Sequence, residues 1–329
     1  MLQPRQAPQA KKAILDTASD SLLMDSNSWE LFGIASKWCS LLAMAGVIGG
    51  VFSLGLAQYV QLPRVPVLVK YVVASAVFGI CMTLIFFVIQ VGAINQTGIT
   101  GMMDRQMGAI LLQSSLGHAL GLRVVAFLLV IINWLAFWQY ARYANASHAY
   151  KKATYLVPVI AIVLLGISFA LTGHTSALPL WARAAIVLHV LAAFLWVGSL
   201  FPLLRLSSTG ESSAGELLAV KRLMQCFGTV ALWIVGVLLL AGASLLTLLL
   251  ESFNELITTN YGSTILLKLT GVALLLMLAS VNKLFLVPRL TQRNSVLRLQ
   301  ASIRMEIAVA ICVLAITAWL TTAVGPANL

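Results

Sequence analysis

Four histidines and a handful of methionines carry most of the metal chemistry available to this chain of 329 residues. His189 sits inside the apolar run 184–201, where an ionisable side chain costs at least a few kcal/mol and therefore points to function. Trp196 follows seven residues later, two turns along the same helix face. His174 lies in Leu171-Thr172-Gly173-His174-Thr175, at the end of the preceding apolar run, and meets His189 if the two runs pack as a hairpin. Two imidazoles facing each other below a membrane surface suit a transition metal or the axial positions of a haem iron. The plainer reading of each histidine is a hydrogen bond to a neighbouring helix, and both readings stay open.

A second group lies between the second and third apolar runs, in Gly101-Met102-Met103-Asp104-Arg105-Gln106-Met107, with His118 beyond it. Met103 and Met107 stand four residues apart, on one face of a helix, and thioethers select Cu(I) over hard cations. Met102 and His118 extend that ligand set, although methionines on a surface helix also serve as packing against lipid. At the other end of the chain, Asn282 and Lys283 close the seventh run and Glu306 opens the eighth. Buried carboxylates are normally paired, so Glu306 is expected to bond Lys283, Arg289 or Arg304, with a gate or exit ligand as its functional alternative. Lys37 and Lys268, inside runs, are expected to snorkel, and His118 with Arg123 to form an interfacial pair. Cys39, Cys81, Cys226 and Cys312 lie in apolar stretches without any C-x-x-C spacing, and read as small buried hydrophobes.

These residues need elements that hold them in lipid. The chain is 60% hydrophobic and 9% charged, against roughly a quarter charged in a soluble domain, and its mean hydropathy is +0.96. A soluble globular protein is excluded. At about 20 apolar residues per span, runs fall at 31–58, 66–93, 122–141, 153–172, 180–203, 223–249, 263–286 and 305–324. Each must be a helix, because an open strand leaves backbone groups unpaired in hydrocarbon. The fold class is thus all-α, a polytopic transmembrane helical bundle of about eight spans. A short surface helix is expected within 91–121. Gly46 and Gly50 make a G-x-x-x-G pair beside a second small-residue row of Ala45, Gly49 and Ser53, which permits close helix approach.

The 21 basic residues against 10 acidic ones set orientation here and do not point to nucleic acid. Basic residues concentrate in the loops after spans one, three, five and seven, for example Lys151, Lys152, Lys221 and Arg222, while the loop 251–263 holds two acids and no Lys or Arg. The positive-inside rule then puts both termini on the outer side. Residues 1–28 lack the apolar core and cleavage site of a signal peptide, so the first span is expected to direct insertion. No nucleotide loop, zinc-hydrolase motif or nucleophile elbow is present, an absence that by itself does not exclude an enzyme.

The stretch Leu188-His189-Val190-Leu191-Ala192-Ala193-Phe194-Leu195-Trp196-Val197-Gly198-Ser199-Leu200, preceded by Gly173-His174, resembles the copper resistance protein D (CopD/PcoD) family. So do Val281-Asn282-Lys283-Leu284-Phe285-Leu286-Val287-Pro288-Arg289-Leu290, Leu299-Gln300-Ala301-Ser302-Ile303-Arg304-Met305-Glu306 and the closing Gly325-Pro326. The likeness runs over roughly 155–326, with Gly198-Ser199 where the family often has Gly-Gly. It implies a multi-pass protein of the bacterial inner membrane that moves copper, as Cu(I) or Cu(II), from periplasm to cytoplasm beside a periplasmic copper-binding partner of the CopC type. The organisation expected on this basis is a polar segment 1–30, a three-span region 31–150 with an outer Met-containing loop 94–121, and a CopD-like domain 151–329 carrying spans four to eight. Met102, Met103, Met107 and His118 would accept copper, His174 and His189 would hold it within the bundle, and Trp196, Asn282 and Glu306 would line the way through. A haem-binding redox protein using His174 and His189 as axial ligands is the alternative.

Overall fold

The computed structural model describes residues 26–62, 65–140, 148–172, 178–208, 214–250, 252, 254–290 and 293–324. Ten α-helices occur among them: α1 (Ser26–Tyr59), α2 (Val65–Asn95), α3 (Arg105–Gln113), α4 (Ser115–Tyr140), α5 (His148–Ala170), α6 (Leu180–Ser207), α7 (Ala214–Leu249), α8 (Glu255–Thr258), α9 (Asn260–Val281) and α10 (Arg293–Trp319). Seven are long and apolar enough to cross a membrane, and the apolar part of α5, Leu156–Ala170, forms a shorter eighth. The chain is a multi-pass helical membrane protein, because only helices satisfy every backbone N–H and C=O of such runs inside lipid. Below, the end of the bundle at which α1 starts is its upper end.

Helices outrun their apolar stretches. The eighth starts at Arg293, where hydropathy alone places the run at 305, because the polar turns holding Arg298 and Arg304 continue the helix beyond its apolar part. The third starts at Ser115, ahead of the expected 122, which brings His118 into its first turn. The expected surface helix is α3, preceded by a 3₁₀ turn over Ile99–Met103. Two helices end in wider turns: α9 continues as a π-helical segment, Asn282–Leu286, and α10 as another, Leu320–Val324.

Burial grades the bundle from centre to edge. Of the apolar window in α1, 72% is buried, against 17% in α7 and in α9, so α1 is the central column and the last two are peripheral. α1 packs on α2 and α6, α7 lies along α6, and α9 lies along α10. Lipid tails supply no hydrophobic drive between helices, so close backbone approach at small residues does this work. Both small-residue rows are used, on different partners. A Cβ at Gly49 would stand 2.0 Å from the Gly198 carbonyl carbon, and one at Gly198 would stand 1.9 Å from the Ala45 oxygen. That locks α1 against α6 by backbone contact. Gly46 and Gly50 instead face α2, at Ser75 and Val72.

The cysteines depart from expectation: Cys39 and Cys226 are half-buried, whereas Cys81 and Cys312 are exposed on the bundle's outer surface, an apolar setting all the same in lipid. Lys37 reaches toward the end of the last span, where its Nζ donates to the Thr321 carbonyl oxygen at 2.9 Å.

Candidate functional site

At the upper end the chain between α2 and α4 is built around Asp104. Its carboxylate caps α3 by accepting from the Gln106 and Met107 amides at 2.8 and 2.9 Å, and it also accepts from Asn95 Nδ2 at 3.0 Å. The Met107 amide foremost, with Asn95 and Gln106, holds this carboxyl below its ordinary value despite its exposure. The cap fixes the methionines on either side. Met102 is half-buried, its Cγ over Gly92 of α2 beside the Trp29 ring, a packing position. Met103 is 82% exposed, Met107 is half-exposed, and His118 is exposed on α4. The interfacial pairing of His118 with Arg123 is not formed. Arg123 is buried and its Nε donates to Ser168 Oγ at 3.0 Å, with the guanidinium 5.1 Å above the Phe169 ring centroid.

His189 lies deeper, half-buried on α6 and turned toward α7. Its Nδ1 stands 3.1 Å from the Leu238 carbonyl oxygen. A carbonyl oxygen only accepts, so Nδ1 is the protonated nitrogen and Nε2 keeps its lone pair, the arrangement in which a histidine is oriented for a metal. The ring is held by shape as well. A Cβ at Gly242, one turn along α7 from Leu238, would stand 3.0 Å from His189 Cε1 and 3.1 Å from Nδ1, so a methyl there would press the ring back by a few tenths of an ångström. Lys268 of α9 is within electrostatic reach of the ring, which the snorkelling expectation missed. The two lie eight and nine residues past their helix starts, a match that the apolar run 263–286 did not give, and the face was not readable either. Trp196 is 2% exposed in the core of the same helix. His174 lies outside the described residues.

At the lower end Glu306 is 2% exposed. The expected ion pair is absent: Asn282, the first residue of the π segment, donates its side-chain Nδ2 to the Glu306 carboxylate. Lys283 turns the other way and donates from Nζ to the Gly228 carbonyl at 2.6 Å, and Arg304 is exposed. The wider π turn explains the exchange, because Asn282 and Lys283 then occupy positions that an unbroken α9 would not give them. Asn282 Oδ1 is buried without a partner. Lys283 to Gly228, with Lys221 Nζ to the Pro288 oxygen at 3.0 Å, ties α7 to the end of the seventh span.

Among the described residues no three of His, Cys, Asp and Glu gather into one cluster. Any copper here would rest on few ligands, which Cu(I) tolerates. Compared with known families, residues 221–320 match the model of copper resistance protein D, CopD. The chain carries a CopD-family segment. It runs from Lys221 in α7 to the end of α10 and takes in Leu238, Gly242, Lys268, Asn282 and Glu306, that is, the backbone that orients His189 and the lower pair. His189 itself, the stretch 188–200 and the upper methionines lie before it. No curated protein and no solved structure matches the chain. The fold is that of a multi-pass helical membrane protein, and residues 221–320 are what it shares with copper resistance protein D.

Proposed function

We propose that the chain carries copper across the bacterial inner membrane from periplasm to cytoplasm, with His189 as the central ligand. The observation that carries this reading is the Nδ1 contact to the Leu238 oxygen, which leaves Nε2 free for a soft or borderline metal inside the bundle. His174 supplies the second imidazole. Met103, Met107 and His118, all at least partly exposed at the upper end, receive copper, with Met102 as their packed neighbour. Trp196 lines the interior, and Asn282 with Glu306 offers oxygen ligands at the exit. Loop charge supports periplasmic termini, on the side where a CopC-type carrier would deliver the metal. Purified protein in liposomes should accumulate Cu(I), and accumulation should drop to the protein-free level in His189→Gln. Equal uptake by that variant contradicts the assignment. Replacing Met102, Met103 and Met107 together by Leu should slow uptake at low copper while leaving expression unchanged.

A second reading has one observation in its favour. Lys268 beside His189 is unfavourable for a bare copper cation and favourable for a ligand with carboxylates, such as haem bound axially through His189 and His174. An intense Soret band in the purified protein decides for haem, and its absence with copper bound decides for the copper reading.

A further inference from the structure

The upper half of the bundle contains two cations that the copper pathway does not use. Arg123 of α4 is 8% exposed, eight residues past the start of its helix, and Lys37 of α1 is within electrostatic reach of it. Each is only partly satisfied. Arg123 gives Nε to Ser168 and its face to Phe169, which leaves both terminal nitrogens of the fork. Lys37 gives one of its donors to the Thr321 oxygen. Among the described residues no carboxylate pairs with either. Two like charges within electrostatic reach of each other in a low-dielectric setting repel, a cost that persists only where something offsets it.

We propose that Arg123 and Lys37 bind the phosphate of an acidic phospholipid. The guanidinium fork matches a phosphate bidentately, and a lysine beside it adds a point charge. A lipid fits better than free phosphate because both cations belong to membrane-spanning helices, Ser28–Tyr59 and Ser115–Ala136, in the turns nearest their upper ends, the depth that a phospholipid headgroup can reach from the membrane surface. Acyl chains would lie along the exposed apolar faces of α4 and α5, which carry Val125 and Ile167, while the headgroup reaches in between the helices to the fork. The anion would also screen both cations from copper passing His189.

The test is native mass spectrometry of the full-length protein in detergent, titrated separately with phosphatidylglycerol, phosphatidylcholine and inorganic phosphate. Phosphatidylglycerol should be retained in preference to phosphatidylcholine, and inorganic phosphate in excess should not displace it. Retention should fall about fivefold in Lys37→Gln, and further in Arg123→Gln. Arg123→Lys, which keeps the charge and loses the fork, should fall in between and serves if Arg123→Gln does not fold. Equal retention of the two lipids by wild type, displacement by inorganic phosphate, or unchanged retention in Lys37→Gln and the folded Arg123 variant overturns the proposal.

Discussion

Asn282 donates its side-chain amide to the buried Glu306 carboxylate, and no basic side chain reaches that carboxylate among the described residues. A buried carboxylate held by one neutral donor is sensitive to loss of that donor. Asn282→Leu should therefore destabilise the protein by about 1.5–3 kcal/mol, read as a lower thermal midpoint in detergent. Glu306→Gln should stay close to wild type in stability, since an amide still accepts from Asn282. The double variant Asn282→Leu with Glu306→Leu should be milder than Asn282→Leu alone, because no charge is left unpaired. In liposomes Glu306→Gln should lower copper uptake at unchanged stability. A double variant as damaging as the sum of its singles would mean that the two side chains do not act as a pair.

The crossing of α1 and α6 predicts a different kind of sensitivity. Gly49→Ala places a methyl 2.0 Å from the Gly198 carbonyl carbon, a distance that backbone cannot relieve by a side-chain rotation. The helices must separate, at a cost of about 1–3 kcal/mol or more. Gly55→Ala on the same helix meets nothing within 4 Å and should be neutral or slightly stabilising. Thermal midpoints of the two variants check the contrast, and equal midpoints would contradict the packing described.

Asp104 gives a pH dependence with a definite sign. Its carboxyl is held below the ordinary value in the folded state, foremost by the Met107 amide. Its contribution to α3 is thus fully present above about pH 4, the unperturbed range for Asp, and is lost as pH falls through the depressed folded value. Hydrogen exchange of the Gln106 and Met107 amides should be slow at neutral pH, and faster at that pH in Asp104→Ala. Asp104→Asn, which still caps, should remain close to wild type.

Much of this was legible in the residues and some of it was not, for physical reasons. Long apolar runs allow only helices, so the eight spans could be read directly, and a histidine in such a run stands out by its cost alone. Helix ends were harder, since the polar turns from Arg293 to Arg304 extend α10 without adding hydropathy. Facing relations were hardest. Lys268 could be placed within the seventh run but not beside His189, and the partner of Glu306 depends on a π turn at Asn282 that no residue preference announces. Charge alone favoured Lys283, Arg289 or Arg304, and the Lys283 ammonium is taken by the Gly228 carbonyl.

The central claim is that His189 holds copper through Nε2, and the copper retained by purified protein tests it most directly. Wild type, His189→Gln and His174→Gln should be loaded with Cu(I), desalted and analysed for metal, with thermal midpoints measured in parallel. Wild type should retain copper, and His189→Gln should fall to the background of an unloaded control while staying folded. His174→Gln should be nearly as severe, and the double variant little worse than either, because two ligands of one site fail together. Copper retained by folded His189→Gln at the wild-type level would remove His189 from the site.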